Sequence, residues 1–266
     1  MHPIVDCHCH VYPEKIAAKA VESIGKFYDI SMDCSGTVSD MIKAESKAGV
    51  THCIVFSVAT KPAQIQSINN FIAEEVKNSN GFMTGLGTLH PDSTDIEGDI
   101  EHLMSLGLKG VKFHPDFQEF AIDEDRAVRI YEICEKKGLP VLFHTGDSRY
   151  KFSNPENVEP ILKRFKKLTV IGAHLGGWSI WDKAVDTLSK YDNFYVDCSS
   201  ALYAITPEKA KEVIRKYGAE KVMFATDFPM WNPSEELERF YAIGLTPEEN
   251  EQILYKTAVK MFDLSF

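Results

Sequence analysis

The stretch Glu124–His144 reads EDRAVRIYEICEKKGLPVLFH and contains one complete structural unit. Its apolar residues recur every three or four positions up to Lys137, which predicts an amphipathic helix. Gly138 predicts the left-handed end of that helix, and the apolar run Pro140–His144 predicts a buried strand that ends in a histidine. This order of elements is typical of an α/β fold with parallel strands.

The same unit recurs along the whole chain. Glycines again end helical patterns at Gly49, Gly107 and Gly218, two or three residues before the next apolar run. The predicted strands are Ile4–His10, Cys53–Val58, Phe82–His90, Gly110–His114, Pro140–His144, Thr169–His174, Phe194–Cys198 and Lys221–Asp227. Eight strands spaced about 30 residues apart favour a (β/α)8 TIM barrel. A doubly wound open sheet is the competing architecture, but the chain has no glycine-rich phosphate loop after an early strand.

Length and composition agree with one barrel. The chain has 266 residues, of which 44% are hydrophobic and 26% charged, and no linker divides it, so we expect a single domain over residues 1–266. Lys and Arg total 29 against 39 Asp and Glu, and the net charge of −10 argues against nucleic acid as a partner. No apolar run reaches the ~20 residues of a membrane span, and the N-terminus lacks a signal-peptide pattern, so we expect a cytoplasmic protein with reduced cysteines.

Histidines collect at the carboxyl ends of the predicted strands. Six of the nine histidines lie there, and Asp227 ends the last strand. These six are His8, His10, His90, His114, His144 and His174. In a TIM barrel the carboxyl ends of the strands form the active face, so the histidines predict a functional site.

The first strand carries the pair His8 and His10. Because side chains alternate along a strand, Asp6, His8 and His10 are expected on one face, with Cys7 and Cys9 on the other. Two imidazoles at this spacing can bind one metal ion at about 2.0–2.1 Å, with further ligands from across the barrel. A hydrogen-bonded pair of core histidines is the structural alternative, but His144, His174 and Asp227 favour a metal site.

Four motifs together resemble the amidohydrolase superfamily. They are His8-Cys9-His10, His144, Ala173-His174-Leu175-Gly176-Gly177 and Thr226-Asp227-Phe228-Pro229. More narrowly, they resemble the amidohydrolase-related branch that includes aminocarboxymuconate semialdehyde decarboxylase. The resemblance implies a metallo-dependent hydrolase type of TIM barrel with a divalent metal, usually zinc.

The resemblance also implies roles for individual residues. It implies that His8, His10, His144 and Asp227 hold the ion, with His174 beside it as an acid/base or as a ligand of a second ion. The sequence leaves open whether one ion or two are bound and whether the chain forms a homo-oligomer. The expected partner is a small-molecule substrate.

Strand four places Lys112 and His114 on one face. A lysine inside a barrel needs an anion, a carbamate or a substrate carboxylate to offset its desolvation, and a structural lysine is the remaining alternative. His114 is predicted either to contact substrate or to be structural. Two further substrate contacts are predicted in the loops. Arg149 is predicted to bind a substrate carboxylate, and Trp178 is predicted to line the entrance of the pocket together with other aromatic residues.

These residues predict hydrolysis of an amide, cyclic amide, lactone or ester. A divalent ion lowers the pKa of a water toward about 7, Asp227 can take its proton, and His174 can protonate the leaving group. The alternative is metal-dependent decarboxylation of a small aromatic or dienoic acid, with proton delivery to carbon as carbon dioxide leaves. A metal-dependent DNase is disfavoured by the net charge and by the absence of a glutamate at the end of strand four. A barrel that binds a metal ion without catalysing a reaction is the alternative to an enzyme.

Overall fold

The computed structural model describes residues 2–265. These residues form two compact units that interleave along the sequence. The first unit contains the described residues up to Phe56, the stretch Glu75–Thr84 and the described residues from Cys198 onward. The second unit contains Ser57–Glu74 and Gly85–Asp197.

Short strands and helices follow one another along the described part of the chain. The strands are β1 (Val5–His10), β2 (His52–Phe56), β3 (Met83–Gly85), β4 (Gly87–Thr88), β5 (Val111–Phe113), β6 (Val141–Phe143), β7 (Val170–Gly172), β8 (Phe194–Asp197) and β9 (Val222–Met223). The helices are α1 (Glu14–Tyr28), α2 (Val38–Ala48), α3 (Ile65–Asn78), α4 (Ile96–Ser105), α5 (Pro115–Gln118), α6 (Asp125–Lys137), α7 (Pro155–Arg164), α8 (Trp181–Leu188), α9 (Pro207–Tyr217), α10 (Pro233–Ala242), α11 (Pro247–Glu251) and α12 (Thr257–Phe262).

In the first unit, β1 pairs in parallel with β2. The register shifts between Asp6 and Cys9, so the strict alternation expected for Asp6, His8 and His10 is interrupted there. On the other side of β1, the Cys7 N–H donates to Phe224 O, and the His10 N–H donates to Phe228 O. The chain that leads to Asp227 therefore runs beside the carboxyl end of β1.

In the second unit, β4, β5, β6, β7 and β8 lie side by side in that order and are parallel. Every residue of β5, β6 and β7 is buried, as expected for parallel strands that are covered on both faces. Val111 pairs with Val141, which pairs with Val170, so the three strands end at the same edge. His114, His144 and His174 follow this edge within two residues of the strand ends.

The predicted helix over Glu124–Lys137 is confirmed as α6. It buries Ala127, Val128, Ile130, Tyr131 and Cys134, and Gly138 ends it in the left-handed conformation with φ 70°. Helix α1 buries Ala17 but leaves Ile16 51% exposed.

The predicted strand Phe82–His90 is wrong as one element, because it forms the two short strands β3 and β4. The Asn69 side chain bonds the second of them. Its amide donates to Thr88 O and accepts from the Thr88 N–H, so both backbone groups of Thr88 bond this side chain, while Thr88 remains paired with Lys112 in the ladder of β4 and β5. Gly87 also lies against Leu103, where an added Cβ would be 2.4 Å from the leucine side chain.

All six cysteines are free thiols, in agreement with the sequence, and Cys34 is the only one of them that is not buried. Within residues 2–265, no helix has the length and apolar character that crossing a membrane requires.

Candidate metal centre

His8, His10 and Asp227 converge in the first unit. The Nε2 atoms of His8 and His10 lie 3.2 Å apart. Asp227 Oδ1 lies 3.4 Å from His8 Nε2 and 3.6 Å from His10 Nε2. Tetrahedral zinc with bonds of about 2.0–2.1 Å requires ligand atoms about 3.3–3.4 Å apart, so the three atoms fit one divalent ion.

Neighbouring side chains hold these three groups in place. The Ser199 hydroxyl lies 3.3 Å from His8 Nδ1, on the opposite side of the ring from Nε2. The edge of Phe56 packs against both imidazoles, with ring centroids 5.0 Å from His8 and 4.9 Å from His10. Partners of this kind orient ligand histidines and carboxylates in metal sites.

Asp227 has a separate support. The Ser200 hydroxyl donates to Asp227 Oδ2 at 2.5 Å, and the Trp231 indole N–H donates to Ser200 Oγ at 2.8 Å. Asp227 and Ser200 both have left-handed backbones, with φ 64° and φ 46°. Non-glycine residues adopt this conformation at a cost, and such residues cluster at functional sites.

Asp6 links the strand of the two histidines to the strand that precedes Asp227. Its carboxylate accepts hydrogen bonds from the His8 N–H, the Thr226 N–H and the Thr226 hydroxyl. Burial raises the pKa of Asp6 above its ordinary value, and the hydrogen bond from Thr226 acts in the opposite direction. We interpret Asp6 as an anchor between β1 and the segment after β9 that leads to Asp227.

A second buried group of metal-ligand type consists of Cys9, Glu45 and Cys53. Burial raises the pKa of both thiols and of the Glu45 carboxyl, which favours the neutral form of each group. Neutral thiols are poor ligands, and we interpret this group as part of the packing under α2.

His144 and His174 meet in the second unit. His144 Nδ1 lies 2.9 Å from His174 Nε2, and both side chains are buried. His114 stacks on the His144 ring with centroids 4.1 Å apart and planes 8° apart. Phe117 stacks on the other face of His114 at 3.7 Å.

The backbone at His174 is left-handed, with φ 60°. Its N–H donates to Asp197 Oδ1 at 3.2 Å, and its carbonyl accepts from the Trp181 indole N–H at 3.0 Å. These bonds hold an unfavourable backbone conformation in place.

Asp116 is buried beside His144. Its Oδ2 accepts from the Ser153 hydroxyl at 3.0 Å and lies 3.8 Å from His144 Nε2. Burial raises the pKa of Asp116 to about 6, against the lowering effect of the Ser153 hydrogen bond.

The predicted substrate contacts all belong to the second unit, in different settings. Lys112 is fully buried in β5. His114 caps α5 by accepting the Phe117 N–H at Nδ1. Arg149 is 39% exposed and pairs through two nitrogens with Asp147, which the sequence does not mark as a site residue. The Arg149 guanidinium lies 5.5 Å from the Trp178 ring.

The structure thus brings together His8, His10 and Asp227 in one unit, and His114, His144 and His174 in the other. The assignment of His144 as a fourth ligand stays a prediction. Sequence reasoning missed Ser199, Ser200 and Asp116. The position of the two serines directly after a predicted strand could have marked them, because loops at that end carry function in barrels.

Comparisons with known proteins agree on the fold. An uncharacterised TIM-barrel protein from Bordetella bronchiseptica has a similar structure, with a TM-score of 0.83, 19% identity and coverage of 98% of this chain and 99% of that one. A dihydroxybenzoic acid decarboxylase from Polaromonas sp. JS666, solved with bound manganese and the inhibitor 2-nitroresorcinol, gives a TM-score of 0.75, 14% identity and coverage of 99% and 98%.

A third similar structure is a putative 2-pyrone-4,6-dicarboxylic acid hydrolase from Pseudomonas putida, with a TM-score of 0.70, 17% identity and coverage of 100% and 99%. At these identities the likeness concerns the fold, which is the predicted (β/α)8 TIM barrel. No curated protein matches the sequence. The family model described as Amidohydrolase matches residues 5–264, and the chain therefore belongs to the amidohydrolase family.

Proposed function

We propose that the protein is a divalent-metal-dependent hydrolase of a small organic molecule with an amide, cyclic amide, lactone or ester bond. The observation that supports this most is the convergence of His8 Nε2, His10 Nε2 and Asp227 Oδ1 within 3.2–3.6 Å. A bound divalent ion would supply Lewis acidity, which polarises a carbonyl and lowers the pKa of a water from 15.7 to about 7.

In this proposal His8, His10 and Asp227 hold the ion through the three converging atoms, and His144 is kept as the fourth ligand that the family resemblance implies. Zinc is the proposed metal because nitrogen and carboxylate ligands suit it. Manganese is the metal in the Polaromonas decarboxylase structure and belongs in any test of metal identity.

Asp227 and His174 are the proposed catalytic residues. Asp227 takes the proton from the attacking water, and His174 holds the developing oxyanion or protonates the leaving group. The hydrogen bonds to the backbone of His174 fix the position from which its ring acts.

Lys112, His114, Arg149 and Trp178 remain the proposed substrate contacts. Arg149 would share its guanidinium with Asp147, because two of its nitrogens already bond that carboxylate. Lys112 is the better candidate for an anionic substrate group, because a buried ammonium is stabilised by a nearby anion.

Metal removal and replacement tests the proposed function. The purified protein is dialysed against a chelator, supplied with zinc or manganese, and assayed on a panel of esters, lactones, amides and cyclic amides. We expect turnover to disappear on removal and to return with metal, and Asp227→Asn and His174→Ala to lower kcat by at least about 100-fold. Full turnover in protein shown to be free of metal would refute the proposal.

Decarboxylation of a small aromatic or dienoic acid is the second candidate. The Ser200 hydroxyl donates to Asp227 Oδ2 while Oδ1 faces the two histidines, so both oxygens are engaged. This arrangement suits a fixed ligand better than a proton acceptor. In this reaction the bond between the substrate carbon and its carboxylate breaks, and carbon dioxide leaves. The electron pair of that bond stays on the substrate carbon, to which His174 delivers a proton.

Carbon dioxide release separates the two candidates. Dihydroxybenzoic and dienoic acids are incubated with the metal-loaded protein in deuterated water. Released carbon dioxide together with one deuterium on the product carbon would establish decarboxylation, whereas hydrolysis of the ester and lactone panel without any such release would exclude it for these acids.

A further inference from the structure

We propose that Asp116 is a positioning residue for His144: its carboxylate accepts the Nε2 proton of His144 and leaves Nδ1 as the ligand atom. This inference rests on the proposed function, because it concerns how one of the proposed ligands is oriented. The family resemblance implies no role for Asp116.

The two nitrogens of His144 have different surroundings. Nδ1 lies 2.9 Å from His174 Nε2, on the side of the other proposed site histidine. Nε2 lies 3.8 Å from Asp116 Oδ2. Which ring nitrogen of a histidine is protonated is set by the hydrogen bond that the other nitrogen makes. In the Nε2–H tautomer, Nδ1 accepts from His174 Nε2 and the N–H of His144 faces the carboxylate.

The Asp116 carboxylate is held in position for this role. The Ser153 hydroxyl donates to Oδ2, and the whole residue is only 8% exposed. Among residues 2–265, Oδ1 has no hydrogen-bond partner. A buried carboxylate with unused acceptor capacity attracts a nearby N–H group.

The ring plane of His144 is fixed independently. His114 stacks on it at 4.1 Å with an 8° angle between planes, and Phe117 stacks on His114. Asp116 lies between these two residues in the sequence, so the same short segment stacks against the His144 ring and places a carboxylate at its edge.

The separation of Nε2 and Oδ2 is about 1 Å longer than a hydrogen bond, and the two groups would form a charge pair only with a protonated imidazole. A positive ion at Nδ1 would make the opposite N–H a stronger donor and increase its attraction to the carboxylate. Metal-bound histidines commonly have such a carboxylate partner, and its loss typically lowers metal affinity by about 10–100-fold.

The chain offers a matched control. Asp99 in α4 is 9% exposed and accepts from the Ser93 hydroxyl, so it is buried and bonded to serine in the same way as Asp116. Asp116→Asn and Asp99→Asn therefore remove the same charge from similar surroundings. Asp116→Glu keeps the charge at the tested position.

Two measurements on the full chain test the inference. Zinc affinity is measured by competition with a chromogenic chelator, and the His144 tautomer is measured in the metal-free protein by two-bond ¹H–¹⁵N NMR, with His144→Gln for assignment. We expect Asp116→Asn to bind zinc about 10–100-fold more weakly and to lose the Nε2–H preference. Asp99→Asn is expected to behave as wild type, and Asp116→Glu to recover the tautomer and part of the affinity.

The outcomes separate this inference from the proposed function. An Nδ1–H tautomer in wild type, or equal zinc affinity of Asp116→Asn and wild type, would overturn the role of Asp116. Absence of zinc binding in wild type would instead refute the proposed function, and the tautomer measurement would still decide the role of Asp116. If circular dichroism shows that Asp116→Asn is unfolded, the wild-type tautomer and the Asp116→Glu variant decide the role of Asp116.

Discussion

The two oxygens of Asp227 have different neighbours. Oδ1 faces His8 and His10, and Oδ2 accepts from the Ser200 hydroxyl, which is itself held by the Trp231 indole. The serine therefore orients the carboxylate and directs Oδ1 toward the two imidazoles. Oriented ligands bind metal more tightly because less side-chain freedom is lost on binding.

Replacing Ser200 by alanine tests this support. Without the hydroxyl, the Asp227 carboxylate can rotate, and we expect zinc affinity to fall by about 10-fold or more. Competition with a chromogenic chelator measures the change. Ser35→Ala, at an exposed serine of the first unit, serves as the control, and equal affinities of the two variants would show that Ser200 has no orienting role.

Glu236 predicts a pH dependence of stability. It is fully buried in α10, where its carboxyl contacts the Arg239 guanidinium, and burial raises its pKa from 4.5 to about 7. The folded chain thus binds this proton more tightly than the unfolded chain. Stability is favoured below pH 4.5 and declines as the pH rises to about 7, by at most about 3 kcal/mol from this group.

Glu236→Gln removes the titration. We expect the free energy of unfolding of wild type to decline relative to that of the variant between pH 5 and pH 8, as measured by urea denaturation with chelator present. Parallel pH profiles of the two proteins would mean that Glu236 keeps an ordinary pKa.

At the scale of single residues, the sequence indicates which side chains bind or react, but it indicates less well which side chains hold them in position. The spacing of His8 and His10 and the position of Asp227 predicted the residues that converge. Ser200 and Asp116 were missed because serine and aspartate are common in loops, and only the folded chain shows what they contact. The register shift between Asp6 and Cys9 interrupts the alternation on which the shared face of Asp6, His8 and His10 was predicted, and such a shift cannot be read from the sequence.

At the scale of elements, the loops after β6 and β7 carry His144 and His174 and approach each other closely. An added Cβ at Gly146 would lie 2.5 Å from the backbone carbon of Gly177. Gly146 also has a positive φ of 76°. A glycine is therefore needed there for two reasons, conformation and space.

Gly146→Ala and Gly138→Ala distinguish these reasons. Gly138 also has positive φ, at 70°, but nothing lies within 4 Å of an added Cβ. We expect Gly138→Ala to cost about 1–2 kcal/mol of stability and to leave activity unchanged. Gly146→Ala should cost more and lower kcat/KM, because it displaces the loop that follows His144. Equal losses of stability, measured by urea denaturation, would contradict the close approach of the two loops.

Helices and strands were predictable where one local sequence pattern determined the element. The apolar face of α6 was predicted correctly, because apolar periodicity is a local signal. The division of the third predicted strand at Leu86 was not predictable from its apolar run, which continues through the break.

At the scale of the whole molecule, the eight-fold repeat of strand and helix predicted the TIM-barrel fold that the similar structures share. Fold alone does not determine the reaction, because the same barrel occurs in a decarboxylase and in a putative hydrolase. The chemistry depends on the metal ligands and on the groups around them, which makes metal binding the central claim.

Metal content tests that claim most directly. Wild type, the triple variant His8→Gln/His10→Gln/Asp227→Asn and the control His102→Gln are purified from medium containing zinc and manganese and analysed by mass spectrometry. His102 lies in α4 and bonds Asn70, outside the proposed site. We predict about one divalent ion per chain in wild type and in the control, and almost none in the triple variant. A wild type without metal, or a triple variant that retains it, would contradict the assignment of His8, His10 and Asp227 as metal ligands.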